Sequence, residues 1–166
     1  MDPTLQATVD RHSLHHGLIV DVLERLSDEL LGFTCGRGMG TLGKQFLHIA
    51  DVEVSYTEAL GTRRMDFARP AVDHSLESSQ RDLLVFLRSA EQRLRSTLRE
   101  LTQGDLETIR IDWTRTHQHY ADGLPVHSHL EALIEHEILH EGELVVYMRS
   151  LGLELPPSWK ILGLVR

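Results

Sequence analysis

Apolar residues recur every three or four positions in four long stretches of the chain, and this spacing is typical of amphipathic helices. The stretches cover about residues 10–32, 42–61, 76–102 and 126–151. In the first of them the apolar stripe is made by Leu14, Leu18, Val22, Leu26 and Leu30. In the third, leucines recur at spacings like those of coiled coils. We therefore expect four long helices, each of which buries one face.

The segments between these stretches carry capping residues and turns. Thr41 and Ser75 directly precede the second and third helices, where a hydroxyl can accept a hydrogen bond from a free backbone amide. Between 105 and 125 the helical pattern breaks, and apolar Ile109 and Ile111 alternate with polar residues as in a short strand. Four helices with one longer crossover before the last predict an all-α fold, a four-helix bundle that forms a single domain over residues 1–166.

Composition and charge narrow the functional classes. The 166 residues carry a formal net charge of −8 and no basic stripe that could neutralise phosphates, so we expect no nucleic-acid partner. No apolar run approaches the roughly 18 to 20 residues that a membrane-spanning helix needs, and the first residues do not resemble a secretory signal. The single cysteine, Cys35, fits a reducing compartment. These features predict a cytoplasmic protein.

The strongest chemical signal is the segment from His136 to His140, which reads His-Glu-Ile-Leu-His and matches the pattern H-E-x-x-H. Residues four apart on a helix lie on the same face, so both imidazoles can reach one cation. The helical phase places both rings beside Leu133 and Leu144, on the side that faces the core. A buried polar group without a partner costs about 1 to 3 kcal/mol, so two such rings at this spacing indicate a bound metal.

The chain has eleven histidines, and His48 is the best candidate for a third ligand because it lies in the middle of the second helix, beside its apolar stripe. The histidines near the predicted start of the first helix are expected to be hydrated or to cap it; they are His12, His15 and His16. No role is predicted for four others, His117, His119, His127 and His129.

Two glutamates accompany the pair on the fourth helix. Glu143 lies one turn beyond His140, where it could orient a ligating histidine or bind the metal itself. Glu137 is flanked by apolar positions and is a candidate general base or a carboxylate that orients a ligand. For both residues a solvated carboxylate on the helix surface is the alternative.

Two known classes of metalloprotein do not fit the motif. Zinc proteases take a third ligand from downstream of H-E-x-x-H. No histidine follows His140, and no further predicted helix follows Glu143 that could bring a glutamate ligand back to the site. Di-iron carboxylate bundles need two Glu-x-x-His elements, and the only one in this sequence begins at Glu137. A site with one metal therefore remains.

At this point the chain resembles the DinB-like (YfiT-like) family of small helical bundles. The resemblance lies in Phe46–Glu53 and in His136–Leu144, and it spans nearly the whole chain through the order of elements. The family pattern has a histidine on helix two and two histidines four residues apart on helix four. It implies that His48, His136 and His140 are the metal ligands. The family's Arg and Gln positions are occupied here by Glu141 and Glu143, two carboxylates that would disfavour an anionic substrate.

The resemblance also implies a function. Some relatives look like thiol-dependent transferases that use bacillithiol or mycothiol, so we expect a metal-dependent S-transferase or hydrolase acting on a small molecule, with a low-molecular-weight thiol as a candidate cosubstrate. One divalent transition metal is expected, zinc or nickel first, with iron also compatible. The rival hypothesis is a non-catalytic metal-binding or stress-response bundle in which the metal is structural. A homodimer is expected from the family.

Overall fold

The computed structural model describes residues 3–67, 72–114 and 122–165. In chain order these form α1 (Pro3–Leu23), α2 (Asp28–Leu31), α3 (Leu42–Thr62), a 3-10 helix (His74–Ser78), α4 (Gln80–Arg99), α5 (Gln103–Thr108), β1 (Arg110–Ile111), β2 (Leu124–Pro125), α6 (Val126–Ser150) and a second 3-10 helix (Pro157–Leu162). The all-α bundle expected from the sequence is confirmed. Within the described part of the chain, no helix combines the length and the apolar character needed to cross a lipid bilayer.

The four long helices pack as a closed ring. Helix α1 lies against α4 and α6, and α3 lies against the same two helices. The carboxyl half of α1 shares one apolar cluster with the amino halves of α3 and α4 and the carboxyl half of α6. Helices α1 and α6 therefore run in one direction, and α3 and α4 run in the other. The connection from α3 to α4 therefore crosses the length of the bundle, whereas the longer connection before α6 joins the end of α4 to the start of α6 at the same end of the bundle.

The core consists of two apolar clusters, one toward each end of the bundle. One surrounds Phe46, Tyr147 and Trp159, and the indole of Trp159 donates a hydrogen bond of 3.0 Å to the Leu18 carbonyl. The other surrounds Met65 and Trp113. Between them, at mid-height, the side chains that face inward from α1, α3 and α6 include buried histidines and glutamates. The apolar core is therefore divided by a polar layer.

The first helix differs most from its prediction. It begins at Pro3 instead of about residue 10, it ends at Leu23, and the predicted continuation to 32 contains the separate short helix α2. Leu14, expected on the buried stripe, is 40% exposed. The reason is that the inward positions in the middle of α1 are occupied by His12, His15 and His16, which a search for apolar periodicity passes over.

The boundaries of the other helices and of the strands agree more closely with their predictions. Thr41 caps α3 as expected, since its side chain accepts a hydrogen bond from the Lys44 amide at 3.2 Å. Ser75 lies in the 3-10 helix, and the residue that caps α4 is Ser79 instead. The alternation after residue 105 corresponds to a pair of two-residue antiparallel strands in which Ile111 faces Leu124. Helix α6 ends one residue before the predicted boundary.

Candidate metal centre

Packing of α3 against α6 brings three histidines together near the middle of the bundle. The Nε2 atom of His136 lies 3.2 Å from Nε2 of His48 and 3.0 Å from Nε2 of His140. His136 and His140 share a face because they are four residues apart on α6, and His48 reaches them from α3. The three residues that the sequence singled out as ligands are therefore neighbours, with one nitrogen of each ring directed at a common point.

The three rings differ in burial. His140 is 7% exposed, His136 is half-buried, and His48 is exposed, so the group lies at the edge of the bundle and not in its core. A cavity of about 380 Å³ opens beside it, lined by His48, Asp51, Val52, Phe67 and His136. A ligand held between these rings would therefore have one side open to incoming molecules.

The environment keeps at least two of these rings neutral. Burial, reinforced by the neighbouring rings of His140 and His48, lowers the pKa of His136 to about 3. Burial and the proximity of His140 also lower the pKa of His48. A neutral imidazole offers a lone pair, and metal binding requires this protonation state. At neutral pH His136 and His48 are thus ready to act as ligands without first losing a proton.

Glu143 lies where it can orient one of the rings. The Nδ1–H of His140 donates a hydrogen bond of 2.7 Å to Oε2 of Glu143. With its proton on Nδ1, His140 presents the lone pair of Nε2 toward His136. Carboxylates in this position raise the basicity of a ligating histidine and fix its tautomer.

Glu137 lies in a second group of side chains. It is fully buried, and its Oε1 lies 3.3 Å from both Nε2 of His12 and Nδ1 of His16. Glu53 of α3 joins the same two rings. The carboxylate of Glu137 is thus directed at α1, whereas the role suggested for it from sequence, as a base beside the three histidines, stays a prediction.

The expectation that the α1 histidines are hydrated or cap the helix is wrong. They occupy the third and fourth turns of α1 because the helix begins at Pro3, and all three are buried. His15 donates from Nδ1 to Oε1 of Glu141 at 2.8 Å, so this glutamate is also directed away from the three-histidine group. One sequence signal was available: His12 and His16 have the same spacing of four residues as His136 and His140.

The four histidines for which the sequence predicted no role divide into three kinds. His129 is buried and structural: its Nδ1 accepts a hydrogen bond from the Trp113 indole at 3.2 Å, and its Nε2–H donates to the Tyr56 carbonyl at 3.0 Å. His127 is exposed on the first turn of α6. His117 and His119 lie outside the described residues.

Comparison with known proteins agrees with this architecture. The model of the DinB family matches residues 4–160. A solved DinB-like protein from Bacillus subtilis is 21% identical, with a TM-score of 0.72 over 92% of this chain and 97% of that one. A DinB-like protein from Bacillus cereus is 24% identical, with a TM-score of 0.73 over 91% of this chain and 95% of that one. At these identities the likeness concerns the fold. No match is found among curated proteins.

Proposed function

The chain belongs to the DinB family, and from this premise we propose that it is a metal-dependent enzyme that binds a divalent transition metal through His48, His136 and His140. The observation that carries the proposal is the convergence of three Nε2 atoms, with separations of 3.0 and 3.2 Å, beside an open cavity. Ligand atoms about 2.0–2.1 Å from a tetrahedral zinc ion lie about 3.3–3.4 Å from one another, close to these values.

The donor set fits a catalytic metal. Three protein ligands and an open position distinguish catalytic from structural zinc sites, in which protein ligands close the shell. Imidazole donors suit zinc, nickel and iron, and we propose zinc or nickel as the first candidates. When bound, such an ion would act as a Lewis acid and lower the pKa of a thiol or a water molecule in the open position.

The surrounding residues define what the site can do. Glu143 holds His140 in the tautomer that ligation requires. Val52 and Phe67 give the cavity an apolar wall, and its volume of about 380 Å³ fits a small molecule. Asp51 on the lining and Glu143 behind His140 add negative charge and disfavour an anionic substrate. We propose a neutral or cationic small molecule, with thiol transfer or hydrolysis as the reaction and a low-molecular-weight thiol as cosubstrate in the first case.

A non-catalytic role for the metal is the second candidate. Because the ligands come from two helices, a bound ion would cross-link α3 and α6, which favours a structural site. The exposed position of His48 favours the enzyme. Exchangeable water at the metal, measured by proton relaxation of a paramagnetic substitute such as Co²⁺, separates the two: a closed shell of protein ligands without water would exclude the enzyme.

The direct test combines metal analysis with an activity screen. Protein loaded with Zn²⁺ or Ni²⁺ is assayed with thiols plus electrophilic acceptors and with ester and amide substrates. The His140→Ala variant should lose both the metal and any activity found, while the matched His127→Ala variant on the same helix should keep both. Activity that survives in His140→Ala would refute the proposal.

The proposed cellular location and oligomeric state are supported less directly than the metal site. The acidic composition and the single free cysteine support a location in the cytoplasm. Leu139 and Val146 are 63% and 48% exposed on α6 and would be covered in a homodimer. Analytical ultracentrifugation of the purified protein measures the oligomeric state directly.

A further inference from the structure

The polar layer inside the bundle consists of four side chains from three helices. His12 and His16 come from α1, Glu53 from α3 and Glu137 from α6. They are among the most buried polar residues of the described chain, with exposures of 4%, 1%, 0% and 0% in that order. Two carboxylates and two imidazoles at this depth need an arrangement that satisfies all of them.

The distances within the layer are nearly uniform. Nε2 of His12 lies 3.3 Å from Oε1 of Glu53 and 3.3 Å from Oε1 of Glu137. Nδ1 of His16 lies 3.3 Å from Oε2 of Glu53 and 3.3 Å from Oε1 of Glu137. One ligand atom from each residue can be chosen so that all lie within 4.8 Å of one another. Each ring nitrogen is thus equally far from two carboxylates, and of these four contacts the one between Nδ1 of His16 and Oε1 of Glu137 has the geometry of a hydrogen bond.

One hydrogen bond, from His16 to Glu137, does not satisfy this arrangement. A ring nitrogen carries one hydrogen at most, so Nε2 of His12 cannot form a well-aligned hydrogen bond to both carboxylates. Buried atoms without a well-formed hydrogen bond include Nε2 of His12, both carboxylate oxygens of Glu53 and Oε2 of Glu137. By comparison, His140 and Glu143 form a hydrogen bond of 2.7 Å. The spacing of 3.3 Å equals the distance of about 3.3–3.4 Å between ligand atoms of a tetrahedral zinc ion.

We propose that His12, His16, Glu53 and Glu137 form a second metal site, which holds a structural divalent cation such as Zn²⁺ in the centre of the bundle. Burial disfavours a charged ring, yet Glu137 and Glu53 raise the pKa of His12 to about 10. A dication would displace this proton, so that two carboxylates neutralise the ion and two neutral imidazoles complete the donor set without adding charge. A metal there ties α1, α3 and α6 together at the level where apolar packing is interrupted.

The second site is closed, unlike the three-histidine group. The cavity that adjoins His12 measures about 10 Å³ and is otherwise lined by apolar side chains and Thr8, so it is at most the size of a single water molecule. Four protein ligands without access for substrate are the mark of a structural site. We call this buried site the inner site and the three-histidine group the outer site. The two sites are adjacent, since Glu137 directly follows His136 on α6. A metal in the inner site would therefore support the helix that carries two ligands of the outer site.

The test isolates the inner site by removing the outer one. A variant that combines His48→Ala, His136→Ala and His140→Ala is refolded with Zn²⁺, freed of loose metal with a chelator, and analysed for zinc by mass spectrometry. Circular dichroism confirms that it is folded. We expect one zinc ion per chain in this variant and two in the natural protein loaded without the chelator step. Adding Glu53→Gln should remove the remaining ion.

The matched control is His15→Gln in the same background, because His15 is buried on α1 but is paired with Glu141 outside the layer. It should retain the ion. A folded combined variant without zinc, or zinc that persists after Glu53→Gln, would overturn the proposal and leave two buried ion pairs as the explanation of the layer.

The outcome is independent of the proposed function. In an otherwise natural chain, Glu53→Gln should lower the zinc content from two to one per chain, and this measurement stands even if the combined variant does not fold. If the natural chain binds one zinc ion, and this ion is lost in Glu53→Gln but kept in His140→Ala, the inner site is supported and the outer one is refuted. If the single ion is lost in His140→Ala but kept in Glu53→Gln, the inner site alone is refuted.

Discussion

The Nδ1–H of His140 donates to Oε2 of Glu143 at a distance of 2.7 Å, within one turn of α6. This contact leaves the Nε2 lone pair of His140 free and directs it toward Nε2 of His136, 3.0 Å away. Glu143, three residues after His140, therefore determines which ring nitrogen of His140 is free to bind a metal.

Glu143→Ala should weaken metal binding at the three-histidine site by about 10- to 100-fold, the usual cost of losing a carboxylate that orients a ligating histidine. The histidines themselves remain, so binding should weaken and not disappear. Competition of Zn²⁺ between the protein and a chromophoric chelator measures the affinity. Glu131→Ala, an exposed position earlier on α6, is the matched control. Equal affinities in the two variants would show that the hydrogen bond does not support a metal ligand.

His140→Ala should lower the zinc content of the loaded protein by one ion per chain. The remaining rings, His48 and His136, offer too few donors for stable binding at this site. Elemental analysis against protein concentration gives the stoichiometry. His127→Ala removes an exposed histidine from the same helix and should leave the content unchanged. Metal content equal to that of the natural protein in His140→Ala would mean that the site lies elsewhere.

The buried His129 should make the fold sensitive to acid. Burial lowers the pKa of this ring to about 4, against about 6.5 in the unfolded chain. Protonation would also place an N–H on Nδ1, which accepts the hydrogen bond of the Trp113 indole. The unfolded state therefore binds more protons between these two pH values. The stabilising contribution of the neutral ring is full above about pH 6.5 and is lost as the pH falls toward 4, by up to about 3 kcal/mol.

Urea unfolding of metal-free protein between pH 7 and pH 5 measures this effect. The His129→Gln variant should start from a lower free energy of unfolding but should lose less of it on acidification than the natural protein. His127→Gln changes an exposed histidine two residues earlier and should keep the natural slope. Parallel curves for the natural protein and His129→Gln would contradict the assignment of a depressed pKa to this ring.

Local patterns were sufficient to predict the bundle and the pair of His136 and His140, and they made His48 the best candidate for a third ligand, which the family resemblance then supported. Amphipathic periodicity located α3, α4 and α6 to within a few residues, because each buries a stripe of apolar side chains. The spacing of His136 and His140 predicted that the rings share a face, and His48 stood out by its place in the middle of a helix. These are properties of single helices, which sequence displays directly.

The polar layer could not be predicted in the same way. On α1 the inward positions carry histidines, so the apolar stripe that marks a buried face is interrupted where the layer lies. The partners of these rings, Glu53 and Glu137, come from two other helices. Glu53 alone resembles an ordinary surface glutamate of a helix, and the apolar positions that flank Glu137 do not show which side chains it contacts. Only the packing of three helices shows that the charges of the layer compensate one another.

Gly43→Ala should destabilise the fold and disturb the three-histidine site together. A Cβ at this position of α3 would lie 1.9 Å from the Glu77 carbonyl oxygen, which belongs to the backbone of the first 3-10 helix and cannot move aside by a change of rotamer. Overpacking of this kind costs about 1 to 3 kcal/mol. The same shift would displace the first turns of α3 and, with them, His48 five residues later.

The matched control for this change is Gly61→Ala, near the other end of α3, where an added Cβ meets nothing within 4 Å. It should leave the free energy of unfolding unchanged or raise it by up to about 1 kcal/mol, since alanine favours the helix. Thermal unfolding and Zn²⁺ titration of both variants provide the comparison. If the two variants unfold at the same temperature, the close approach of α3 to the 3-10 helix does not constrain the bundle. If Gly43→Ala is destabilised but binds Zn²⁺ with full affinity, the start of α3 does not determine the position of His48.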